Sequence, residues 1–543
     1  MNGSISFPEP QNADMVQFEK GSKDRTKLLT AISRLRSQDP PRLPLWIGGQ
    51  PVFSEKFGTC VPPHDMNRLL AYYAQATTPD MVMRAIGSAM NAKQKWNQIP
   101  WYMRIDIFRN AAYLLQHTYF YDAVAVTMED YSKNPYEAMI DVVELIDFWN
   151  FNAYFASEIY AEQPRSAADD FNFTDYRPWE GFIAAIPPNN FISIAMNIPT
   201  APLIMGNVVV CKPAPETVFS FHFMLNILHE AGLPKDVLSI VHGDEEIIGE
   251  ILLTSEFLSH VHFTGSMETM HKLVEQVEKN VRNYMGFPEV VGETGGKNFM
   301  VVYDDANPDE AAAAIVQSAF GYQGRKCSAL SRLYLTHEMW ARIEPILVGF
   351  MNEIRLGDVA DFHNYLGAII SRHEYEKIVR YIEGARTRST TTKIYGAIHQ
   401  EDQRGYWVYP TIIVTRHAYA PSMTHEIFGP VLTVYPMEQN AFKEGAVHLC
   451  NSNKYKLTGA VHTADMYTLC DALDELRFAA GNLYNCRTTG AIVGRQPFGG
   501  SGKSGSNSKP GSRRNLDRWV NPGAVSLTRI KPTHFAPVYL DRD

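Results

Sequence analysis

Gly181-Phe182-Ile183-Ala184-Ala185-Ile186-Pro187-Pro188-Asn189-Asn190 decides the fold. A short apolar run that stops at a Pro-Pro-Asn-Asn turn reads as a buried strand ending in a loop. Three more such runs follow, at 208–211, 237–241 and 260–264. A helix is predicted over 217–232, because Gly232-Leu233-Pro234 supplies a C-cap glycine and then a proline. Another is predicted from about 268 to 284. Strands alternating with helices in this order predict a doubly wound parallel sheet, an α/β fold.

Working outward, residues 66–160 read as helices from the apolar spacing at 81–86 and 142–146. A second α/β pattern runs from about 297 to 490, with its clearest strands at 299–303 and 431–435. The polar stretch 164–180 and the strand-like tail after 515 are candidates to pair as an edge hairpin used in assembly. A chain of 543 residues is too long for one core, so two or three domains are expected. A net charge of −9 argues against general nucleic-acid binding. No apolar run reaches 18 residues, so no membrane span is expected. The six cysteines form no CxxC pair and fit no metal site, and their scatter suits a reducing compartment. The N-terminus has Glu9, Asp14 and Glu19 and no apolar signal core; the cytosol is the preferred compartment, with the mitochondrial matrix as alternative.

Gly499-Gly500-Ser501-Gly502-Lys503-Ser504-Gly505 contains both GxGxxG and GKS. A P-loop needs glycine where Pro497 stands, and a dinucleotide fingerprint needs a long βαβ unit after it. A glycine-rich loop near an active site, or a plain surface loop, is the better reading.

The segment Gly321-Tyr322-Gln323-Gly324-Arg325-Lys326-Cys327-Ser328-Ala329 places two cations beside a cysteine. Those cations, or a helix N-terminus after the glycine turn, would favour the thiolate that a nucleophile needs; a buried structural thiol is the alternative. Upstream, Glu293 in Gly292-Glu293-Thr294-Gly295-Gly296-Lys297-Asn298 is open to being a general base or an ordinary charged turn. Asn190 closes a strand and could face an oxyanion, or simply make an Asx-turn. Phe263-Thr264-Gly265-Ser266 ends a strand before a helix, where a Rossmann-like sheet offers N–H groups to a pyrophosphate. Glu426-Ile427-Phe428-Gly429-Pro430 and Gln496-Pro497-Phe498-Gly499-Gly500 are turns carrying an aromatic.

Taken in order, these motifs resemble the landmarks of the aldehyde dehydrogenase superfamily, from about residue 15 to 540. The resemblance implies a Rossmann-like NAD-binding domain (25–163 and 183–292), an α/β catalytic domain (293–514) and a small β oligomerisation flap (164–182 and 515–543). It implies that Cys327 attacks an aldehyde carbon, that Asn190 and the Cys327 N–H hold the oxyanion, and that Glu293 activates the water that hydrolyses the thioester. It also implies a cofactor site at Lys212, Phe263, Gly265, Ser266, Glu426 and Phe428. The acidic residue often three after the lysine is Pro215 here, with Glu216 beside it, so NAD is preferred and NADP stays open. The family implies a small-molecule aldehyde substrate, no metal, and a homodimer or higher homo-oligomer.

Within the superfamily, 145–148, 292–299, 326–329 and 489–494 resemble the pyrroline-5-carboxylate dehydrogenase branch, which oxidises glutamate semialdehyde to glutamate in proline catabolism. By that similarity Lys326, Ser328, Gly490 and Ala491 anchor the substrate carboxylate, while Phe191 and Phe498 sandwich its methylenes. Two positions depart from the branch: Ala491 stands where serine is usual, and Asn189 where an aromatic is usual. A paralogue acting on another amino-acid-derived aldehyde, and a non-catalytic structural member, are the alternatives.

Overall fold

The structure is a computed structural model and describes residues 5–537 and 539–540. Two short strands, β1 (Leu45–Ile47) and β2 (Gln50–Val52), precede four helices. These are α1 (Pro79–Gln98), α2 (Trp101–His117), α3 (Phe120–Tyr131) and α4 (Pro135–Ala161). The helical reading fails at its start, because Ala71–Ala74 is a strand lying between Arg42–Leu43 and Phe57–Cys60. Tyr72 points out there while Ala71 and Tyr73 point in, the alternation of a strand and not of a helix. The long helix α4 begins at Asn134, whose side chain accepts from the Glu137 N–H, with Pro135 in the first turn. It is buried on nearly every face, so its carboxylates at 137, 141, 144 and 147 must find partners inside the protein.

After α4 come β3 (Asp170–Arg177), β4 (Phe182–Ile186), α5 (Ile192–Ile204), β5 (Val209–Cys211), α6 (Val218–Glu230) and β6 (Leu238–Ile240). Then follow α7 (Glu245–Thr254), β7 (Leu258–Thr264), α8 (Met267–Lys279) and β8 (Glu289–Glu293). The first sheet runs β8-β7-β4-β5-β6-β1-β2, parallel from β8 to β6 and antiparallel at the β1–β2 edge. Helix α8 stops at Lys279 rather than near 284, where Asn280 turns its N–H back onto carbonyls of the last turn. Pro202 inside α5 cannot donate to the Ile198 carbonyl, and His262 Nδ1 from β7 donates to it instead at 2.7 Å. That bond ties helix to sheet where both approach the site.

The second sheet contains β9 (Asn298–Val302), β10 (Leu330–Thr336), β11 (Thr391–Tyr395), β12 (Thr411–Thr415), β13 (Val431–Met437), β14 (Thr458–His462) and β15 (Asn482–Tyr484). Its order is β11-β12-β13-β10-β9-β14-β15, parallel except at the β11 edge. A separate antiparallel ribbon pairs β3 with β16 (Asn521–Thr528) through eight registered residues, Asp170 to Arg177. The two segments expected to make an edge hairpin therefore pair; Val538 and residues 541–543 of the expected flap lie outside the described residues.

Candidate active site

The β4–α5 turn, the end of β8 and the loop before β10 meet at one cavity of about 1040 Å³, lined by Phe191, Glu293, Cys327 and Phe498 among others. The C-terminal ends of the first sheet thus face the N-terminal edge of the second, with the cysteine between them.

The cysteine loop is wound unusually. Tyr322, Gln323 and Gly324 are all left-handed, with φ of 51°, 54° and 64°. For two non-glycine residues this costs on the order of 1 kcal/mol each, and the surroundings must impose it. Gln323 does so by donating from Nε2 to the Ser132 and Ala368 carbonyls at 2.9 and 3.0 Å. Tyr322 sits edge-on to Phe191, and the buried Lys133 ammonium lies 4.4 Å from the Tyr322 ring and 3.6 Å from that of Phe191. Lys133 is paired with Asp141 at 2.6 Å, and Asp141 accepts from the Ile192 and Ser193 N–H groups that open α5. One buried ion pair therefore fixes both the cysteine loop and the turn that carries Asn190.

Asn190 is buried, and its Nδ2 donates to the Arg325 carbonyl at 3.1 Å, which leaves the second amide proton free for an oxyanion. Asn298 Nδ2 holds the Cys327 carbonyl at 2.8 Å and the Ala329 carbonyl at 2.7 Å, pinning the backbone of the candidate nucleophile. The paired glycines between Glu293 and Asn298 are there for space. A Cβ on Gly295 would lie 1.8 Å from the Glu426 carboxylate, and one on Gly296 would lie 2.6 Å from the Cys327 carbonyl. Glu426 in turn accepts from the Gly296 N–H at 2.9 Å, so the motif at 293–298 touches both the cysteine and the 426–430 turn.

Two electrostatic expectations are overturned. Cys327 does not start a helix; it sits in the turn between Gly321–Gly324 and β10. Its thiol is not pushed toward the anion either: burial, then the carboxylates of Glu426, Glu293 and Glu144, raise it to about 12. The neighbouring cations are engaged elsewhere. Lys326 pairs with Glu137 at 2.7 Å, and Arg325 donates to Asn189 Oδ1 at 3.0 Å and lies over Phe428. Burial also raises Glu293 to about 8, opposed by the N–H groups of Gly500, Ser508 and Asn507 and by Lys509. The glycine-rich stretch 499–505 is thus neither kind of phosphate loop. It wraps the candidate base, and Gly500 donates to Glu293 Oε2 at 3.2 Å.

The remaining sequence-predicted residues fall into two groups. Phe191, Lys326, Ser328, Gly490, Ala491 and Phe498 line the cavity with Cys327 and Glu293. Lys212, Phe263, Gly265, Ser266, Glu426 and Phe428 do not line it; Lys212 follows β5, Phe263 lies near the end of β7 with Gly265 and Ser266 after it, and Glu426 and Phe428 belong to the 426–430 turn. Ser266 caps α8, its Oγ accepting from the Thr269 N–H, with the helix's free N–H groups exposed beside it. Lys212 pairs with Glu245 at 2.5 Å, so an acidic residue does sit beside this lysine, arriving from the start of α7 and not from position 215. Sequence reading also missed Glu137, Glu144 and Arg487, which line the cavity. Burial raises the Glu144 carboxyl to about 7, and its Oε2 accepts from Ser193 Oγ at 2.7 Å.

The aldehyde dehydrogenase family model matches residues 54–525. This chain belongs to the aldehyde dehydrogenase family. Among other aldehyde dehydrogenases it is 37% identical to delta-1-pyrroline-5-carboxylate dehydrogenase of Agaricus bisporus, over 96% of each chain. The mitochondrial enzyme of that name from Homo sapiens is 36% identical, over 95% of this chain and 92% of that one. The fold superposes on the Mycobacterium tuberculosis delta-pyrroline-5-carboxylate dehydrogenase with a TM-score of 0.95, 38% identity and full coverage of both chains. The same enzyme bound with NAD gives 0.94, with 99% of each chain covered.

Proposed function

We propose that the protein oxidises L-glutamate 5-semialdehyde, the open form of 1-pyrroline-5-carboxylate, to L-glutamate with NAD, as a step of proline catabolism. The observation that carries this reading is the charge layout of the cavity. Cys327 and Glu293 share it with the Arg487 guanidinium, the Lys326–Glu137 ion pair, the Glu144 carboxyl, and the rings of Phe191 and Phe498. A semialdehyde with one carboxylate, one ammonium and a short methylene chain presents the complementary set. The naming of similar proteins as pyrroline-5-carboxylate dehydrogenases supports the same substrate.

In this reading the Cys327 thiol gives up its proton to water in the cavity as Sγ attacks the aldehyde carbon, and the oxyanion is held by Asn190 Nδ2 and the Cys327 N–H. NAD, when bound, supplies the hydride acceptor. Glu293 then takes a proton from water, which attacks the thioester and frees the sulfur. The donor set fits NAD: Lys212 for the adenosine ribose, the α8 N-terminus at Ser266 for the pyrophosphate, and Glu426 with Phe428 for the nicotinamide ribose and ring. Phe263 underlies this turn, where a Cβ on Gly265 would lie 2.6 Å from its ring. The Glu245 carboxylate beside Lys212 would repel a 2′-phosphate, which disfavours NADP. Glu245→Ser is expected to raise kcat/KM with NADP relative to NAD by about tenfold or more; steady-state kinetics with both cofactors checks it.

Residues 25–163 with 183–292 act as the cofactor domain and 293–514 as the catalytic domain. The ribbon of 164–182 and 515–543 joins copies into a dimer, which its exposed Phe171, Leu527 and Ile530 favour. Among the described residues no helix is long and apolar enough to cross a membrane. Vertebrate relatives named mitochondrial favour the matrix over the cytosol as compartment. The deciding experiment is NADH formation with pyrroline-5-carboxylate beside a panel of short aliphatic and aromatic aldehydes. A strong preference for pyrroline-5-carboxylate is expected; preference for another aldehyde would overturn the substrate.

Ala491 lies in the loop proposed to grip the substrate carboxylate and lacks the hydroxyl of its branch. A hydrogen bond to a charged group is worth about 1.5–3 kcal/mol. Ala491→Ser is therefore expected to lower the KM for pyrroline-5-carboxylate by about tenfold or more. An unchanged or higher KM places the carboxylate elsewhere.

A further inference from the structure

The N-terminal segment, 481 residues away from the anchor loop in sequence, is fastened to it by one side chain. Asn12 Nδ2 donates to Asp147 Oδ2 at 2.8 Å and to the Val493 carbonyl at 2.8 Å. The other carboxylate oxygen of Asp147 accepts from the Ala13 N–H at 2.8 Å, so the strap is held at two consecutive residues. Beyond this fastening, Met15, Val16, Gln17, Phe18 and Glu19 run along the cavity that contains Cys327 and Ala491.

Both protons of the Asn12 amide are used, one on α4 and one on the loop. Asp147 is buried one helical turn after Glu144, so the helix that presents the cavity's carboxylate also holds the strap. Val493 packs with Phe148 and Phe151 of α4 in a small apolar cluster. Gly494 lies so close that a Cβ would meet the Phe151 ring at 2.2 Å. The loop's apolar side is thus set by packing on α4. Among the described residues, its only side-chain hydrogen bond to the strap is the one from Asn12 to the Val493 carbonyl, two residues from Ala491.

We infer that Asn12 is a specificity-determining positioning residue: it holds the 490–493 loop against α4 at the distance that fits a carboxylate-bearing aldehyde. The inference rests on the proposed carboxylate site in that loop. It adds that affinity for the charged end of the substrate depends on a residue outside both sheets.

The test is Asn12→Ala in the full-length enzyme, with KM and kcat for pyrroline-5-carboxylate and for propanal, which has no carboxylate. The expected result is a rise of about tenfold in KM for pyrroline-5-carboxylate, with kcat and the propanal constants unchanged. Equal shifts for both substrates, or no shift, would overturn it. Loss of both activities together with a lower melting temperature would also overturn it, making Asn12 a general structural tie. A wild-type enzyme that ignores pyrroline-5-carboxylate sinks the substrate assignment instead; Asn12 is then judged by the same comparison with the carboxylated aldehyde that the enzyme prefers.

Discussion

Cys327→Ala is expected to lower turnover of pyrroline-5-carboxylate by about 10⁵-fold or more, while the affinity for NAD is retained. Cys327 is the one cysteine lining the cavity; Cys60, Cys211 and Cys450 are buried in the cores, and Cys470 and Cys486 are exposed elsewhere. Among the described residues no second thiol lines the cavity to take over its role. The alanine removes only the sulfur, because the loop is held by Gln323, Asn298 and Tyr322 and not by the thiol. NADH production measured beside an NAD titration by protein fluorescence separates chemistry from binding. Turnover within tenfold of the parent would remove Cys327 from the mechanism.

The second large effect belongs to Glu293. Its carboxyl, held up to about 8 by burial, is mostly protonated at pH 7, and only the carboxylate can take a proton from water. Turnover limited by thioester hydrolysis should therefore rise with pH and level off above about 8. The thiol, raised to about 12, would also gain from rising pH, but without a plateau in that range. Glu293→Gln keeps an acceptor for the Gly500 N–H but abolishes the base. A fall in kcat of about 10²–10⁴-fold is expected, with the inflection near pH 8 lost. A rapid burst of NADH matching the enzyme concentration should survive, since hydride transfer precedes the water step. A variant with parental kcat and an unchanged pH profile would assign the base to another group.

Much of the candidate site was legible because it is made of strand ends and the loops after them, where a few consecutive residues carry the thiol, carboxyl and amide groups. Asn190 and Cys327 sit in such loops and Glu293 is the last residue of β8, and the glycines around them mark close approaches that the structure shows as contacts with Glu426 and the Cys327 carbonyl. What was not legible depends on contacts between distant segments. Glu144 reads as one more charge on a helix, and only burial of α4 turns it toward the cavity. Glu245 stands 33 residues from Lys212 and reaches it because β6 lies beside β5 in the sheet. The thiol's environment was misread for the same reason: Lys326 is neutralised by Glu137 and Arg325 is turned onto Asn189 and Phe428, while burial and three remote carboxylates raise the thiol. The parallel sheet was legible from its apolar runs, whereas the strand Ala71–Ala74 was lost because four residues are too few to set a period against helical flanks.

The β3–β16 ribbon bears on how the chain is made. Arg177 and its partner Asn521 are 344 residues apart, so β3 leaves the ribosome long before the strand that completes it. The first sheet can assemble from 182–293 while synthesis continues, but β3 must wait as an open edge carrying Phe171 and Phe173 until 521–528 emerge. The last-made strand is then a lock, further secured where Trp179 donates to the Arg518 carbonyl and Asn207 to that of Trp519. Chains released early, short of residue 521, would carry a finished cofactor-type sheet and an unprotected edge, which makes them substrates for chaperones and proteases and prone to clump through that edge.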